Sequence, residues 1–329
     1  MQESEFAGHF DDEPVTIVVG SAPGGGYDLL ARTIARFAPQ HLPGEPRRFQ
    51  IRNVSGGGGL RAWETLLRSD ADGRTILTLN INLIRQVLLG REVSGLDLNT
   101  LPLIGAPTRV SDPYLICADR HKYSSWDDLL ADGSVTIAGG TGGRVPMGAH
   151  FVELVGGPMK TIPGYEGSTE TLAAFERGEL EASTCIQRRD PRLLPELVED
   201  MRWLPLFWWN TRPNQEWLDT LGAPEPYHIY DLPGVDFQDW QKTAFNATVE
   251  YNDFLRMYVV HPDTPPGLVQ VWRDSYQAVI EDPGFIEAAG IAGYDVGFGS
   301  PDDFGQVIDD LLSLPPEGLE LVLRLSGIN

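Results

Sequence analysis

VTIVVGSAPGGGYDLLARTIARFAPQ, residues 15–40, decides how the rest of the chain is read. A β-branched run, Val15–Val19, gives way to Gly20, Ser21, Ala22 and Pro23, and then to three successive glycines, Gly24, Gly25 and Gly26. From Asp28 an amphipathic pattern starts: Leu29, Leu30, Ile34 and Phe37 recur at helical spacing, and Arg32 and Arg36 fall to the wet side. The stretch predicts strand, glycine loop, helix. Glycines let backbone N–H groups come close to a ligand, and a helix N-terminus favours negative charge. An anion-binding corner near the start of the chain is the expectation.

The arrangement returns twice. Residues 49–54 read as a strand, followed by Ser55, Gly56, Gly57, Gly58 and Gly59 and a helical run over 60–67. Residues 135–138 read as another, followed by Gly139, Gly140, Thr141, Gly142, Gly143 and Arg144 and a helix near 147–155. A single loop of this kind reads equally as turn punctuation. Three of them suggest several helix N-termini facing a common crevice. Strands are also expected at 74–79, ending in Asn80, Ile81 and Asn82, and at 101–106, 114–118, 159–162, 180–186 and 254–260. Ser124 and Ser125 before Trp126 predict a serine-capped helix, and further helices are expected from Ser168, over 267–280, from Ser300 and from Pro315. Residues 188–236 are proline-rich and read as irregular, with Phe207, Trp208 and Trp209 as core rather than ligand wall. Strand–helix alternation that starts twice predicts two α/β units, each with a mostly parallel sheet.

Bulk properties exclude several classes. The 47 acidic and 25 basic residues give a net charge of −22, the wrong sign for a phosphate-neutralising nucleic-acid binder. No nucleic-acid partner is expected. No apolar run approaches the ~18 residues of a membrane span. The start, MQESEFAGHF, lacks the basic-then-apolar layout of a secretory signal. The six histidines show no metal-ligand spacing, and neither a G-x-S-x-G elbow nor a dinucleotide or P-loop glycine pattern occurs. No cofactor, no metal and no catalytic residue are therefore expected. Cys117 and Cys185 form no C-x-x-C motif, which leaves a disulfide or two separate thiols open.

Particular motifs carry a resemblance. Pro23, Gly24, Gly25, Asp28, Ala31 and Arg32, then Asn53, Gly56, Gly58 and Gly59, then Asp72, Gly73, Arg74 and Thr75 follow one another in order. This series resembles the TctC or Bug-type solute-binding receptors of tripartite tricarboxylate transporters. The second half continues the likeness, with Gly140, Thr141 and Gly142, then PGYEGS from Pro163, then HPDTP from His261. The chain departs from that pattern at Tyr27, which puts a larger aromatic wall where small hydroxyl residues are common. It departs again at Gly143–Pro146 and at Glu166.

The resemblance implies a two-lobed, type II periplasmic binding protein of the Venus-flytrap kind, with two Rossmann-like α/β domains joined by a two-strand hinge. Lobe one would be residues 1–113 and 257–329, lobe two 114–256, and the crossing strands 114–118 and 255–260. It implies a monomeric, non-enzymatic, periplasmic receptor that delivers a small carboxylate to the membrane permease subunits of such a transporter. The alternative is an enzyme or sensor holding a nucleotide or phosphorylated metabolite at the glycine loops. Expected ligand contacts from the first lobe are Ser21, Ala22, Gly25, Gly26 and Tyr27, with Asp28 as helix cap and organiser of the loop. Ser55 and Gly57 would close the floor, and Asn80 and Asn82 sit at a strand's C-terminal end, where open α/β sheets bind ligands. From the second lobe Thr141, Gly142, Gly143 and Arg144 are expected, Arg144 as a bidentate carboxylate partner or a solvated loop residue. Tyr165 would cover the ligand or pack locally.

Overall fold

The computed structural model describes residues 6, 8–11, 13–44, 48–88, 90–109, 114–139, 145–165, 168–185, 203–213, 215–254, 256–291 and 296–326. The chain divides into two compact units, residues 1–110 with 250–313, and residues 111–249 with 314–329. The sequence boundaries lay at 113/114 and 256/257 and kept the C-terminal helix in the first unit. In the structure residues 314–329 group with the second.

The first unit is built on a six-stranded sheet in the order β12-β4-β11-β3-β1-β2. Its strands are β1 (Val15–Val19), β2 (Phe49–Asn53), β3 (Thr75–Asn80), β4 (Leu103–Arg109), β11 (Arg256–Val260) and β12 (Val296–Gly299). β1 pairs in parallel with β2 and β3, and β11 runs antiparallel between β3 and β4. The β1 run VTIVV is almost wholly buried, as a parallel strand covered on both faces must be. On one face Val15, Ile17, Val19, Ile76, Tyr258 and Val260 pack against Leu30, Ala31 and Ile34 of α1 (Gly26–Phe37) and against the long helix Pro266–Glu281. Trp272 of that helix locks the contact by donating from its indole Nε1 to the Gly73 carbonyl at 2.7 Å. α2 (Leu60–Leu67) and α3 (Ile81–Leu88) complete the early part of the unit.

The second unit has its own six-stranded sheet, in the order β10-β9-β5-β8-β6-β7. These strands are β5 (Leu115–Asp119), β6 (Thr136–Gly139), β7 (Met159–Ile162), β8 (Ala182–Cys185), β9 (Trp203–Trp208) and β10 (Tyr227–His228). β6 pairs in parallel with β7 and β8, and β5 runs antiparallel between β8 and β9. In the first sheet β11 and the edge strand β12 run against the others, in the second β5 alone does, and β11 and β5, third in their orders, are the strands expected to cross between lobes. The helix α4 (Trp126–Asp132) begins as its sequence predicts, with the Ser125 hydroxyl accepting from the Asp128 N–H at 3.1 Å. Cys117 is buried and disulfide-bonded, and the other cysteine of the chain is Cys185.

Two expectations need correction. The stretch 188–236 is not irregular throughout: it contains β9 and a helix, Gln215–Leu221. Its aromatics explain the strand, because Phe207 is fully buried against Trp126 and Ile116 is its partner across β5. The first helix starts at Gly26 rather than Asp28, with Gly25 as its N-cap. Glycine has no side chain to cap with, and the helix has no side-chain cap hydrogen bond at that position.

Candidate functional site

The first glycine loop lies at the C-terminal end of β1, and one carboxylate holds it in shape. Asp28 is the third residue of α1 and is buried. Its Oδ2 accepts from the Gly24 N–H at 2.8 Å and from Arg32 Nε at 2.9 Å. Its Oδ1 accepts from Asn53 Nδ2 at 2.9 Å, and the same amide donates to the Ser21 carbonyl at 3.1 Å. Asp28 is therefore the organiser of the loop, while the cap position that the sequence reading also gave it belongs to Gly25. The Arg32 hydrogen bond, with help from Gly24 and Asn53 and against the effect of burial, lowers its pKa from 3.8 to about 2. The carboxylate is charged at every physiological pH, and its oxygens are already occupied.

The loop itself is open. Ala22, Pro23, Gly24 and Gly25 are exposed, Ser21, Gly26 and Tyr27 half-buried. The first-turn N–H groups of a helix have no intrahelical acceptor, and here no side chain caps them from Gly25. The geometry offers backbone donors and the positive end of the α1 dipole, which suit an anion.

The second glycine loop and the end of β3 meet beside it. Gly59 has φ +103°, and a Cβ on it would stand 2.5 Å from Asn80 Cβ. Gly20 faces Gly59 from the base of the first loop, where a Cβ would lie 3.6 Å from the Gly59 Cα. Asn80 is half-buried, and its Oδ1 accepts from the Asn82 N–H at 3.0 Å. Asn82 is exposed and is already the second residue of α3; its Oδ1 accepts from Arg85 at 3.2 Å. Ser55 and Gly57 are exposed, and the Ser55 carbonyl receives a long contact, 3.5 Å, from Arg61.

In this way Ser21, Ala22, Gly25, Gly26, Tyr27, Asp28, Gly57, Asn80 and Asn82 come to one end of the first sheet. In the second unit Tyr165 is half-buried against the cluster that includes Cys117 and Phe175. Thr141, Gly142, Gly143 and Arg144 lie outside the described residues.

Arg256, which the sequence reading did not single out, also stands at this end of the sheet. It opens β11, opposite Asn80 in register, and its guanidinium carbon stands 5.9 Å from the centre of the Tyr27 ring. It is the one charged residue of an otherwise apolar strand, RMYVV.

A TctC solute-binding protein from Polaromonas superposes on this chain with a TM-score of 0.64, covering 97% of this chain and 99% of its own at 17% identity. The chain has the fold of the TctC-type solute-binding proteins. Two other solved structures are similar in fold. A protein of R. palustris with adipate is 20% identical over 96% of this chain and 98% of its own, with a TM-score of 0.53. MatC of Rhodopseudomonas palustris with bound malate is 13% identical over 95% and 100%, with a TM-score of 0.50. No protein-family model matches the chain, and no curated protein matches it. Among the described residues no group of three or more His, Cys, Asp or Glu could hold a metal ion, and no helix is long and apolar enough to cross a membrane.

Proposed function

We propose that this chain is an extracytoplasmic receptor, non-catalytic, that captures a small organic carboxylate at the first glycine loop and delivers it to a membrane permease of the tripartite tricarboxylate type. The observation that carries the reading is the state of Asp28. Its carboxylate is spent on Gly24, Arg32 and Asn53, so the N-terminus of α1 keeps its positive end for a ligand from outside. Backbone donors fixed in advance bind a carboxylate without the entropy cost of ordering a loop. The adipate and malate carried by two proteins of this fold belong to the same chemical class. The disulfide at Cys117 supports an oxidising compartment.

Thermal shift of the purified protein tests this, with adipate, malate, citrate, benzoate, phenylacetate, glutamate, ATP and NAD as probes. A carboxylate present at 100 times its dissociation constant adds about 2.7 kcal/mol to stability, which raises the midpoint by several degrees. A rise with a carboxylate and none with ATP or NAD is the expected result. A rise with nucleotides alone would move the glycine loops to a phosphate site and sink the receptor reading.

A further inference from the structure

Charge is shared unevenly along this chain. Residues 15–63 hold six arginines, Arg32, Arg36, Arg47, Arg48, Arg52 and Arg61, against two acids, Asp28 and Glu45, a net of +4. With −22 for the whole chain, the remaining residues carry −26. We propose that this stretch forms an electrostatic guide, a positive corner centred on Arg52 and Arg61 that draws anionic ligands to the two glycine loops against the charge of the whole protein. The proposal rests on the receptor reading and adds to it how the ligand arrives.

One arginine flanks each loop. Arg52 is the fourth residue of β2 and is exposed. It stands one position before Asn53, whose amide reaches the Ser21 carbonyl and Asp28 in the first loop. Arg61 is the second residue of α2, also exposed, and lies against the second loop: a Cβ on Gly56 would stand 2.8 Å from its Cδ. Among the described residues neither arginine has a carboxylate partner. The helices that start at this end, α1, α2 and α3, carry one acid in their first turns, Asp28. Its charge is offset by Arg32, whose Nε is 2.9 Å away. The sum beside the loops is therefore positive.

Other arginines of the same unit are paired. Arg68 meets Glu64 at 3.3 Å, and Arg74, which precedes β3 at the end of the strand away from Asn80, meets Asp72 at 2.8 Å. Paired charges cancel beyond about a Debye length, ~8 Å at physiological salt. Unpaired charges of one sign add, and they raise the local concentration of counter-ions and the rate of encounter. The chain places acids beside its arginines away from the loops and leaves Arg52 and Arg61 without them, which is the arrangement a guide needs.

The test turns on the sign of a salt effect. If net charge governed approach, added salt would screen a repulsion and speed the binding of a dianion; a positive corner gives the reverse. Association of adipate and of malate with the full wild-type chain is followed by stopped-flow tryptophan fluorescence, with calorimetric affinities alongside for a ligand that is optically silent. Between about 20 and about 300 mM salt the wild-type on-rate should fall about tenfold, and the affinity should fall with it. A double variant, Arg52→Gln with Arg61→Gln, should bind about three- to tenfold more slowly at low salt and converge with wild type at high salt. The same loss of charge in the second unit, Arg177→Gln with Arg212→Gln, each arginine being paired with a glutamate, should leave the salt effect as it is. A wild-type on-rate and affinity that rose or stayed level with salt would overturn the proposal, and this arm needs no variant to fold. So would a folded Arg52–Arg61 double variant with wild-type binding at low salt, or equal slowing by the second-unit pair. If wild type bound neither acid by either method, the receptor reading itself would fall, and the guide with it. Binding with a reversed or absent salt effect would remove the guide alone.

Discussion

Asp28 shows how one side chain can settle the chemistry of a loop. Asn in its place keeps the shape but presents either an NH2 or a neutral oxygen to Gly24 and Arg32, both donors. Asp28→Asn should therefore cost about 1–3 kcal/mol and weaken carboxylate binding, seen as a lower urea midpoint and a smaller thermal shift. The sign of the pH dependence follows from the lowered pKa. The unfolded carboxyl titrates near 3.8 and the folded one near 2, so the contribution is complete above about pH 4 and drains away as pH falls towards 2. Wild type and Asp28→Asn should converge in stability over that window; parallel curves would show that the brace is not the charged form. At this scale much was legible. The spacing of Asp28 and Arg32, four apart on a helix, is visible in the letters. The reach from Asn53 was not, because it depends on β2 lying beside β1. The neighbourhood of Arg256 was hidden for the same reason: Tyr27 and Asn80 are 229 and 176 positions away, and periodicity within one strand cannot name them.

Elements were read best where a glycine loop separated a β-branched run from an amphipathic one. β1, β2, β6 and β7 lie where their sequences put them, as do α2 and α4. The stretch 188–236 misled because proline density outweighed an apolar run of six, WLPLFW, which the antiparallel strand β5 turns into a sheet strand. The close approach of the second glycine loop to β3 gives a sharp prediction here. Gly59 combines φ +103° with a Cβ position 2.5 Å from Asn80. Gly59→Ala would suffer both the left-handed backbone, about 1–3 kcal/mol, and a clash that pushes Asn80 from the end of β3. Denaturation should show a loss of at least about 2 kcal/mol, together with weaker ligand binding. A neutral Gly59→Ala would mean that the two loops are not packed as described.

Across the whole molecule, charge and cross-linking act together. A net charge of −22 repels an anionic ligand at long range, but screening over about 8 Å at physiological salt leaves the decision to local groups. The disulfide at Cys117 ties down a sheet whose reversed strand, β5, is central. Cys117→Ser should lower stability by about 2–5 kcal/mol, and dithiothreitol should lower the melting point of wild type while leaving that of the variant unchanged. An identical melting point with and without reductant in wild type would contradict the bonded state.

The late, reversed strand β11 also fixes the order in which a newly made chain can assemble. Every strand of the second sheet lies between residues 115 and 228, in one unbroken stretch. The first sheet cannot close until β11 is made, at residue 260 of 329, because β3 and β4 have no direct partner in each other. Until then the earliest segment to leave the ribosome carries two open strand edges, a hazard for aggregation. The part of the protein that is synthesised first thus completes its sheet only after every strand of the second sheet has been made.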